Sequence, residues 1–549
     1  MKNRVLKVQS QDNLIVALDH LKKGEVITYN NKEVTLIEAI APKHKFNESD
    51  LKKGEEIFMY GVLVGKAEYD IPAGSMITTF NVKHAAAPFK LGERKLTWEK
   101  PEQGDFKDKT FQGYHRANGS VGTANYWIVL PLVFCENRNL DVIKDALVNQ
   151  LGYGKSDKYK DFAQDLISKY QKGEELQDIL TSELQSVAEN PNPTRIFENV
   201  DGVKFLNHDM GCGGTRQDAQ SLCGLLAGYI AHPNVAGATV LSLGCQNAQY
   251  SILQEELLKR QCTDKPIVFL EQQEEGTEEK LITEAIKETF TGLMEANKQT
   301  RQAAPLSKLV LGLECGGSDG FSGISANPTL GYVSDLLVTL GGTTILSEFP
   351  ELCGVEQELS DRCVDEETAL KFNSLMTAYA ASAVRAGSGF DMNPSPGNIK
   401  DGLITDAIKS AGAAKKGGTS PVTDVLDYPE MVSKKGLNLL CTPGNDVEST
   451  TGMVGSGANI VLFTTGLGTP TGNPIAPVIK VASNTKLSEK MPDIIDINTG
   501  PIIEGEENIE DSGRRMLDYI IAVASGETQC KAVINQQDDF IPWKRGVSL

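Results

Sequence analysis

The chain of 549 residues is short of positive charge and of long apolar runs. Lysine and arginine number 54 against 73 acidic residues, which gives a formal net charge of −19. Nucleic-acid binding relies on a positive surface that displaces phosphate counterions, so this balance argues against a nucleic-acid partner. No apolar run approaches the ~18 residues needed to cross a bilayer, so a membrane partner is not expected either.

The cysteines lack the spacing of a local metal motif or of a disulfide framework. Ten cysteines are scattered along the chain, and none forms a Cys-x-x-Cys pair. In a chain this long the pattern indicates reduced thiols. The charged start Met1–Lys7 lacks the apolar core of a signal peptide, so a cytoplasmic protein is expected. The Gly466–Gly472 loop lacks the Lys-Ser/Thr that ends a P-loop, which disfavours a nucleotide site.

The order of strand and helix signals predicts an α/β multidomain chain. Short strand-like segments broken by turns predict a small β module over residues 1–86. Charge, proline and weak periodicity predict a linker over 87–110. Apolar strands then alternate with helical patterns, which predicts mostly parallel, Rossmann-like sheets in two domains, 111–275 and 276–549.

Several predicted strands of the α/β part run directly into loops rich in glycine and cysteine. In parallel sheets the carboxyl edge of the strands is where ligands bind, so these loops are the expected site. The predicted strands are Trp127–Phe134, Ala238–Leu243, Pro266–Leu270, Lys308–Leu313, Leu336–Leu340, Gly436–Leu440 and Ile460–Thr464.

The densest of these loops follows Leu313. Its glycines allow close approach of the backbone to a ligand, while Glu314, Cys315 and Asp319 offer metal ligands and Ser318 a hydroxyl. A tight structural turn is the alternative. Three further strand-end cysteines, at positions 135, 212 and 245, lie in similar loops, where simple burial of the thiol is as compatible with the pattern as chemistry.

Polar side chains with a role in binding or proton transfer are expected in other loops. The 393–398 loop holds two prolines and two amides that can face a polyol, or forms a plain turn between domains. Lys480 can neutralise a carboxylate or lie as a solvated strand residue. Only six histidines are present, and His44 and His208 have the neighbours most suggestive of proton transfer.

Taken in order along nearly the whole chain, these motifs resemble the altronate dehydratase family, whose wider group includes galactarate dehydratase. The segments Asp12–Leu18, His44–Phe46 and Tyr60–Ala67 are similar to its N-terminal SAF module, a β-clip. The other similar segments are Arg116–Gly119, Gly211–Cys212, Gly244–Cys245, Gly312–Gly320, Asn393–Asn398, Gly436–Leu440, Pro443–Asp446 and Lys544–Leu549.

The resemblance implies an iron- or manganese-assisted dehydration of D-altronate to 2-keto-3-deoxy-D-gluconate, in the route from galacturonate. Removal of the proton beside a carboxylate builds negative charge on the substrate. A bound cation is needed to stabilise that charge and a nearby base is needed to take the proton. The expected metal ligands are Glu314, Cys315, Asp319, Cys212 and Cys245. The expected proton-transfer residues are His44, His208 and Lys409. The expected substrate contacts are Arg116, Asn125, Ser318, Asn327, Asn393, Asn398, Asn445 and Lys480.

Departures from the family pattern keep other functions open. Thr78–Asn81 replaces the usual His-x-His-Asn, Ala124 and Leu467 each replace an arginine, and Ala407-Ile408 replaces an acidic pair. The alternatives are dehydration of another sugar acid such as galactarate, or a catalytically silent sugar-acid binding protein. An iron–sulfur cluster on Cys135, Cys212, Cys245 and Cys315 is the alternative to a single Fe(2+) or Mn(2+) ion. A homo-oligomer is also compatible with the sequence.

Overall fold

The computed structural model describes residues 3–30, 32–154, 158–184 and 195–549. The N-terminal module is built from short antiparallel strands, as the sequence predicts for a β-clip. Its strands are Val5–Leu6, Leu14–Ala17, Val26–Tyr29, Lys32–Thr35, Lys45–Asn47, Glu56–Met59, Val62–Ala67 and Val82–Lys83. The strands Glu56–Met59 and Val62–Ala67 form a hairpin, because Tyr60 and Gly61 take positive φ angles and turn the chain.

The second domain contains a four-stranded parallel sheet with helices around it. In spatial order its strands are Gly202–Phe205, Tyr126–Pro131, Val235–Ser242 and Ile267–Glu271. An antiparallel sheet beside it holds Val121–Gly122, Thr110–His115 and Gln302–Pro305. The helices are Asn137–Leu147, Lys158–Gln171, Leu176–Leu180, Arg216–Ala231, Tyr250–Lys259, Gln272–Glu275 and Glu278–Ala296.

The second domain extends past the predicted boundary at residue 275. The helix Glu278–Ala296 buries Leu281, Ala285 and Leu293 in the same apolar cluster as Trp127 of the four-stranded sheet. A boundary before this helix would expose that apolar face, so the helix belongs to the second domain.

The C-terminal domain is a seven-stranded parallel sheet covered by helices. In spatial order its strands are Val422–Leu426, Gly436–Leu440, Thr343–Leu346, Val310–Cys315, Ile460–Thr465, Val478–Ala482 and Ile497–Asn498. The helices are Ala326–Thr339, Glu356–Asp361, Glu366–Arg385, Pro396–Lys400, Asp406–Ala414, Asp446–Gly455, Thr485–Lys490, Gly500–Glu504, Ile509–Ser525 and Lys531–Ile534. Short 3₁₀ turns occur in the linker at Gly104–Lys107 and in the second domain at Phe134–Glu136. Those of the C-terminal domain are Leu306–Lys308, Phe349–Leu352, Phe390–Met392 and Lys415–Gly417.

The predicted strand Leu336–Leu340 is wrong. It is the end of the helix Ala326–Thr339, and the true strand is Thr343–Leu346. A short run of apolar residues does not distinguish a strand from a helix that is buried on most sides, and Leu336 and Leu337 are both fully buried. The parallel α/β architecture itself is confirmed by the pairing of both sheets.

The β module docks on the C-terminal domain through basic side chains of one segment. Lys43 Nζ lies 2.8 Å from Asp401 Oδ1 and 3.1 Å from Asp319 Oδ2. The buried Lys45 donates to Gly402 O at 2.6 Å. One apolar core runs continuously from the β module into both α/β domains. Among the described residues, no helix is both long and apolar enough to cross a membrane.

Residues of the predicted linker lie along the C-terminal domain as a strap. Lys95 binds Asp361 through both its backbone and its ammonium group, at 2.6 and 2.7 Å. At the start of the strap His84 Nδ1 forms an ion pair with Asp406, the first residue of the helix Asp406–Ala414. The hydrogen bond to Asp406 raises the pKa of His84 above its ordinary value.

The His84 ion pair predicts a pH-dependent contribution to stability. Because the pKa of His84 is raised by folding, its contribution to stability is complete at pH values below the pKa in the unfolded chain. The contribution disappears as pH rises through the pKa in the folded protein. Because 36% of the His84 side chain is exposed, His84→Gln should lower the free energy of unfolding by no more than about 1 kcal/mol at about pH 6, and by almost nothing at about pH 9. Urea denaturation of the variant and the wild type at both pH values measures this difference in the free energy of unfolding.

The exposed His115 of the second domain supplies the matched control, His115→Gln. Its effect on the free energy of unfolding should be small at both pH values. A loss for His84→Gln that stays constant with pH would show that the ion pair is not its source.

Candidate functional site

A buried cluster of acidic, thiol and ammonium groups lies at the carboxyl edge of the seven-stranded sheet. Glu314 and Cys315 end the strand Val310–Cys315, and Glu348 follows the adjacent strand Thr343–Leu346. The exposure of these three residues is 2% or less. Glu348 has a positive φ of 65°, which is uncommon for a residue other than glycine and frequent at functional sites.

The Lys416 ammonium lies at the centre of this cluster. Its Nζ donates to Glu348 Oε2 at 2.5 Å and to Cys315 Sγ at 2.8 Å. Burial opposes its charge, but the acidic groups around it, among them Glu348, raise the pKa of Lys416 well above its ordinary value. Burial, with Glu348 and Glu351 adding to it, also raises the pKa of the Cys315 thiol. At neutral pH the lysine is therefore charged and the sulfur is a neutral thiol.

Two carboxylate oxygens of the cluster have no hydrogen-bond partner among the described residues. Glu314 Oε2 accepts from Ser449 Oγ at 2.7 Å and from Ser347 Oγ at 3.2 Å, but Glu314 Oε1 and Glu348 Oε1 are buried and unpartnered. Burial raises the pKa of both carboxyl groups. Unpaired buried oxygens are costly, so this pair is suited to hold a proton or a cation.

Lys409 lies where the cluster approaches the surface. Its Nζ donates to Glu351 Oε1 at 2.6 Å and to Asn393 Oδ1 at 2.7 Å. The Lys409 side chain is 10% exposed, Asn393 is partly exposed, and the neighbouring Gly444 is exposed. Burial opposes its charge, but Glu351 raises the pKa of Lys409. This lysine therefore places a positive charge on the side of the cluster that is nearest the protein surface.

Asp446 and Lys480 complete the charged set with pKa values near neutrality. Burial, together with Glu348, raises the pKa of Asp446 to about 7. Burial lowers the pKa of Lys480 to about 7, and its Nζ lies 3.5 Å from the Phe463 ring centroid. A Cβ at Gly316 would lie 2.0 Å from Asp446 Oδ2, so only glycine lets Asp446 come this close to the strand end.

Two overlapping donor sets in the cluster have atoms within 4.8 Å of one another. In the set Cys315, Glu348 and Glu351, the Lys416 ammonium already binds two of the three donors. The set Glu314, Glu348 and Asp446 offers three carboxylates and includes both unpartnered oxygens. Oxygen donors suit Fe(2+) and Mn(2+), so the second set fits such a cation.

Asp319, expected as a metal ligand, instead fixes loops and the β module. Its Oδ1 accepts from Ser322 Oγ and Ser483 Oγ, both at 2.9 Å, and its Oδ2 pairs with Lys43 at 3.1 Å. Asn484 also donates to Oδ2, at 3.2 Å. With both oxygens already engaged, the carboxylate joins the β module to the carboxyl edge of the seven-stranded sheet.

Four more expected substrate contacts lie in loops and helix ends around the cluster. Asn398 forms the capping box of the helix Pro396–Lys400 with the N-cap Ser395, and its amide donates to Ser318 O at 2.8 Å. Asn327 donates to Gly412 O at 3.0 Å, so its amide is also engaged. Ser318 is buried, with 5% exposure. Asn445 caps the helix Asp446–Gly455 but is exposed.

The expected carboxylate clamp Arg116 lies in the junction of the antiparallel and four-stranded sheets. Its guanidinium donates to Pro233 O at 2.7 Å and to Asn125 Oδ1 at 3.0 Å, and it also contacts Gln299. Asn125 donates to Asn199 O at 2.8 Å. Both side chains are buried in these contacts, so the structure uses them to join segments of the second domain.

His208 braces a loop, in contrast to its expected role in proton transfer. Its Nε2 lies 2.8 Å from Pro131 O, and its Nδ1 accepts from Met210 N at 3.1 Å. Burial lowers the pKa of His208 to about 4. Both ring nitrogens are engaged by the backbone, so neither faces a ligand.

The five expected metal ligands do not converge on one ion. Cys315 is buried in the cluster, whereas Cys212 and Cys245 are exposed at the edge of the other parallel sheet, together with Cys135. His44 lies at the interface of the β module and the C-terminal domain, with Nε2 at 3.2 Å from Lys400 O.

Glu348, Glu351, Lys416 and Asp446 were missed in the sequence. Glu348 and Glu351 follow the strand Thr343–Leu346, which the sequence predicts too early, at Leu336–Leu340. An acidic pair three residues apart after an apolar strand was the available signal. Lys416 comes from a 3₁₀ turn without a recognisable motif, so nothing in the sequence connects it with Cys315.

Three family models match consecutive parts of the chain. They are the SAF domain of altronate/galactarate dehydratases over residues 3–85, the second domain of D-galactarate dehydratase/altronate hydrolase over 113–297, and the C-terminal domain of D-galactarate/altronate dehydratase over 306–548. Together they cover the β module and both α/β domains.

Curated relatives are similar over almost their full length. The altronate dehydratase of Bacillus subtilis (strain 168) is 34% identical, with 99% of both chains covered. The altronate dehydratase of Escherichia coli (strain K12) is 33% identical with the same coverage. The galactarate dehydratase (L-threo-forming) of Escherichia coli (strain K12) is 32% identical over 95% of this chain and 93% of its own length.

Removal of the central ammonium should destabilise the protein strongly. In Lys416→Met the carboxylate of Glu348 loses its buried counter-charge, and breaking such a pair from one side costs about 3–5 kcal/mol. Urea denaturation measures the free energy of unfolding. Adding Glu348→Gln to Lys416→Met should recover part of the loss, because the uncompensated charge is then gone.

The adjacent Lys415 provides a matched control. Its side chain is 27% exposed, and its Nζ lies 3.8 Å from Glu358, so Lys415→Met should cost less than about 1 kcal/mol. Equal losses for the two lysine variants would contradict a central electrostatic role for Lys416.

Proposed function

Because this chain belongs to the family of D-galactarate and altronate dehydratases and is a hydro-lyase, we propose that it dehydrates D-altronate to 2-keto-3-deoxy-D-gluconate in hexuronate catabolism. The full-length similarity to two altronate dehydratases carries this proposal. The charged cluster supports it, because elimination beside a carboxylate requires cations, a proton acceptor and a proton donor in one place.

The reaction breaks the C2–H and C3–O bonds of the sugar acid. The C2 proton goes to a base, the electron pair forms the C2–C3 double bond, and the 3-hydroxyl leaves as water after it takes a proton. The enol then tautomerises to the 2-keto acid. Negative charge builds on the substrate carboxylate during proton removal, so positive groups near that carboxylate lower the barrier.

Glu314, Glu348 and Asp446 would hold the Fe(2+) or Mn(2+) ion on which we propose the reaction depends. One carboxylate oxygen of each residue lies within 4.8 Å of those of the other two. Two oxygens of these residues lack a hydrogen-bond partner among the described residues. A bound dication would stabilise the charge that develops on the substrate carboxylate.

Lys409 is the group that we assign to the substrate carboxylate or to the leaving hydroxyl. Its raised pKa keeps it protonated at neutral pH, so it acts as a cation or a proton donor and does not accept the C2 proton. Asn393 accepts from Lys409 at 2.7 Å and donates to Glu351 Oε1 at 3.2 Å, so it orients the ammonium.

His44 is the base that we propose for the C2 proton. Lys400 O can only accept a hydrogen bond, so the contact at 3.2 Å places the proton on His44 Nε2 and leaves the lone pair on Nδ1. Burial lowers the pKa of His44, which keeps the imidazole neutral at pH 7. The loop from Asn393 to Lys400 connects the surroundings of Lys409 with those of His44.

The proposal predicts keto-acid formation from D-altronate. Purified protein with Fe(2+) or Mn(2+) under anaerobic conditions should form a 2-keto-3-deoxy acid from D-altronate faster than from other aldonates or from galactarate, and chelation of the metal should abolish turnover. Keto-acid release from a substrate panel is the measurement.

Lys409→Met tests the same reaction with a defined loss. It should lower kcat/KM for D-altronate by about 100-fold or more. Binding of D-altronate without turnover by the folded, metal-loaded protein would overturn the proposal and indicate a sugar-acid binding protein. Preferred turnover of galactarate would overturn the substrate assignment only.

The proposed base predicts an acidic limb in the rate profile. Because the pKa of His44 is lowered, kcat/KM should fall only as pH drops below about 6.5, the ordinary histidine value. His44→Gln should reduce kcat/KM by about 100-fold or more and remove this limb. The exposed His20 of the same module gives the control His20→Gln, whose profile should match the wild type; an unchanged profile for His44→Gln would exclude it as the base.

A further inference from the structure

Three cysteines at the carboxyl edge of the four-stranded sheet have no role in the proposed reaction. Of the ten cysteines, only Cys135, Cys212 and Cys245 are exposed. The other seven are buried or partly buried, as is usual for a free thiol. Three exposed thiols in one place therefore need an explanation other than packing.

The topology of the sheet brings these thiols together. Each follows one of three adjacent parallel strands: Cys135 after Tyr126–Pro131, Cys212 after Gly202–Phe205 and Cys245 after Val235–Ser242. Parallel strands end at the same edge, so the loops meet there. After burial, the proximity of Cys212 is the largest influence that raises the pKa of Cys135, and Cys245 also contributes.

Backbone hydrogen bonds hold the three loops in place. Phe134 N donates to Met210 O at 3.0 Å, which ties the first loop to the second, and Asn247 N donates to Gly211 O at 2.9 Å, which ties the second to the third. Gly211 has a φ of 101°, and a Cβ there would lie 2.1 Å from Leu132 O, so the approach of the loops requires glycine.

The three sulfurs are not arranged as the ligands of a single metal ion, because at least one pair is more than 4.8 Å apart. Thiolates at about 2.3 Å from a tetrahedral ion lie about 3.8 Å apart. The three sulfurs do not form a ligand group with all atoms within 4.8 Å of one another, although all three cysteines are described. Thiolates that bind different irons of one cluster stand farther apart, and cysteine thiolates are the usual ligands of such clusters.

We propose that Cys135, Cys212 and Cys245 bind an iron–sulfur cluster through three thiolates at the carboxyl edge of the four-stranded sheet. Cys315 takes no part, because it is a buried thiol that contacts Lys416 and Glu351 in the other sheet. Three protein ligands leave one iron of a four-iron cluster open to an oxygen ligand such as a carboxylate or a hydroxyl. The thiols release their protons to solvent on binding.

The helix Asp446–Gly455 begins close to the carboxylate cluster and also close to the loop that holds Cys212. Asp446, at the start of the helix Asp446–Gly455, faces the carboxylate cluster. Glu448, two residues later, lies close enough to Asp209 of the Cys212 loop for that carboxylate to raise its pKa, after burial. The C-terminal residue Leu549 donates to Gly213 O of the same loop. The start of this helix is therefore near both the carboxylate cluster and the loop of Cys212.

The test is anaerobic reconstitution of the full chain with iron and sulfide. The wild type should bind iron and acid-labile sulfide in equal amounts and develop visible charge-transfer absorption. Cys135→Ser, Cys212→Ser and Cys245→Ser should each lose most of the sulfide and absorption, with unchanged circular dichroism because the thiols are exposed. Cys262→Ser, at the opposite edge of the same domain, is the control and should retain the cluster.

Two results would overturn the proposal: iron bound without sulfide by the wild type, or a cluster retained by the triple serine variant. The proposal rests on the loop geometry and not on the dehydration of D-altronate. Turnover is measured on the same samples, so an inactive protein with an intact cluster would count against the proposed function alone, and an active protein without sulfide would count against the cluster alone.

Discussion

Neutralisation of buried charge is the constraint on which the rest of the structure depends. Three buried acidic side chains, the partly buried Asp446 and a buried thiol are brought to the carboxyl edge of one parallel sheet, where water solvates them poorly. The fully buried Lys416 and the nearly buried Lys409 supply the opposite charge. Both lysines come from the segment that packs between this sheet edge and the β module, so the positions of the helix Asp406–Ala414 and of the 3₁₀ turn after it follow from this electrostatic requirement.

The β module has a related role, because its basic segment covers the same edge. Lys43 and Lys45 bind carboxylate and carbonyl groups of the C-terminal domain, and the intervening His44 reaches Lys400 O. A module that is small on its own thereby becomes part of a continuous core. The His84 ion pair with Asp406 fixes the exit of the module to the helix that carries Lys409.

The two parallel sheets place different chemistry at equivalent edges. One edge collects buried carboxylates, which suit a hard cation, and the other collects exposed thiols, which suit iron and sulfide. This arrangement separates the donors that the sequence had grouped into one metal site, because Cys212 and Cys245 belong to a sheet different from that of Cys315.

The sequence by itself determined the family, the β module and the parallel α/β architecture, because apolar periodicity and ordered glycine motifs are local properties of the chain. It also indicated Glu314 and Cys315, which lie at a recognisable strand end. Only the tertiary structure decided their partners. Glu348 was hidden by the misassigned strand at Leu336–Leu340, and Lys416, 101 residues from Cys315, meets it through packing alone. Likewise Arg116, His208 and Asp319 carry polar groups that suit a ligand, but the neighbouring backbone and side chains already satisfy them. Whether a polar group is left free for chemistry depends on what the fold places beside it, and no local pattern records that.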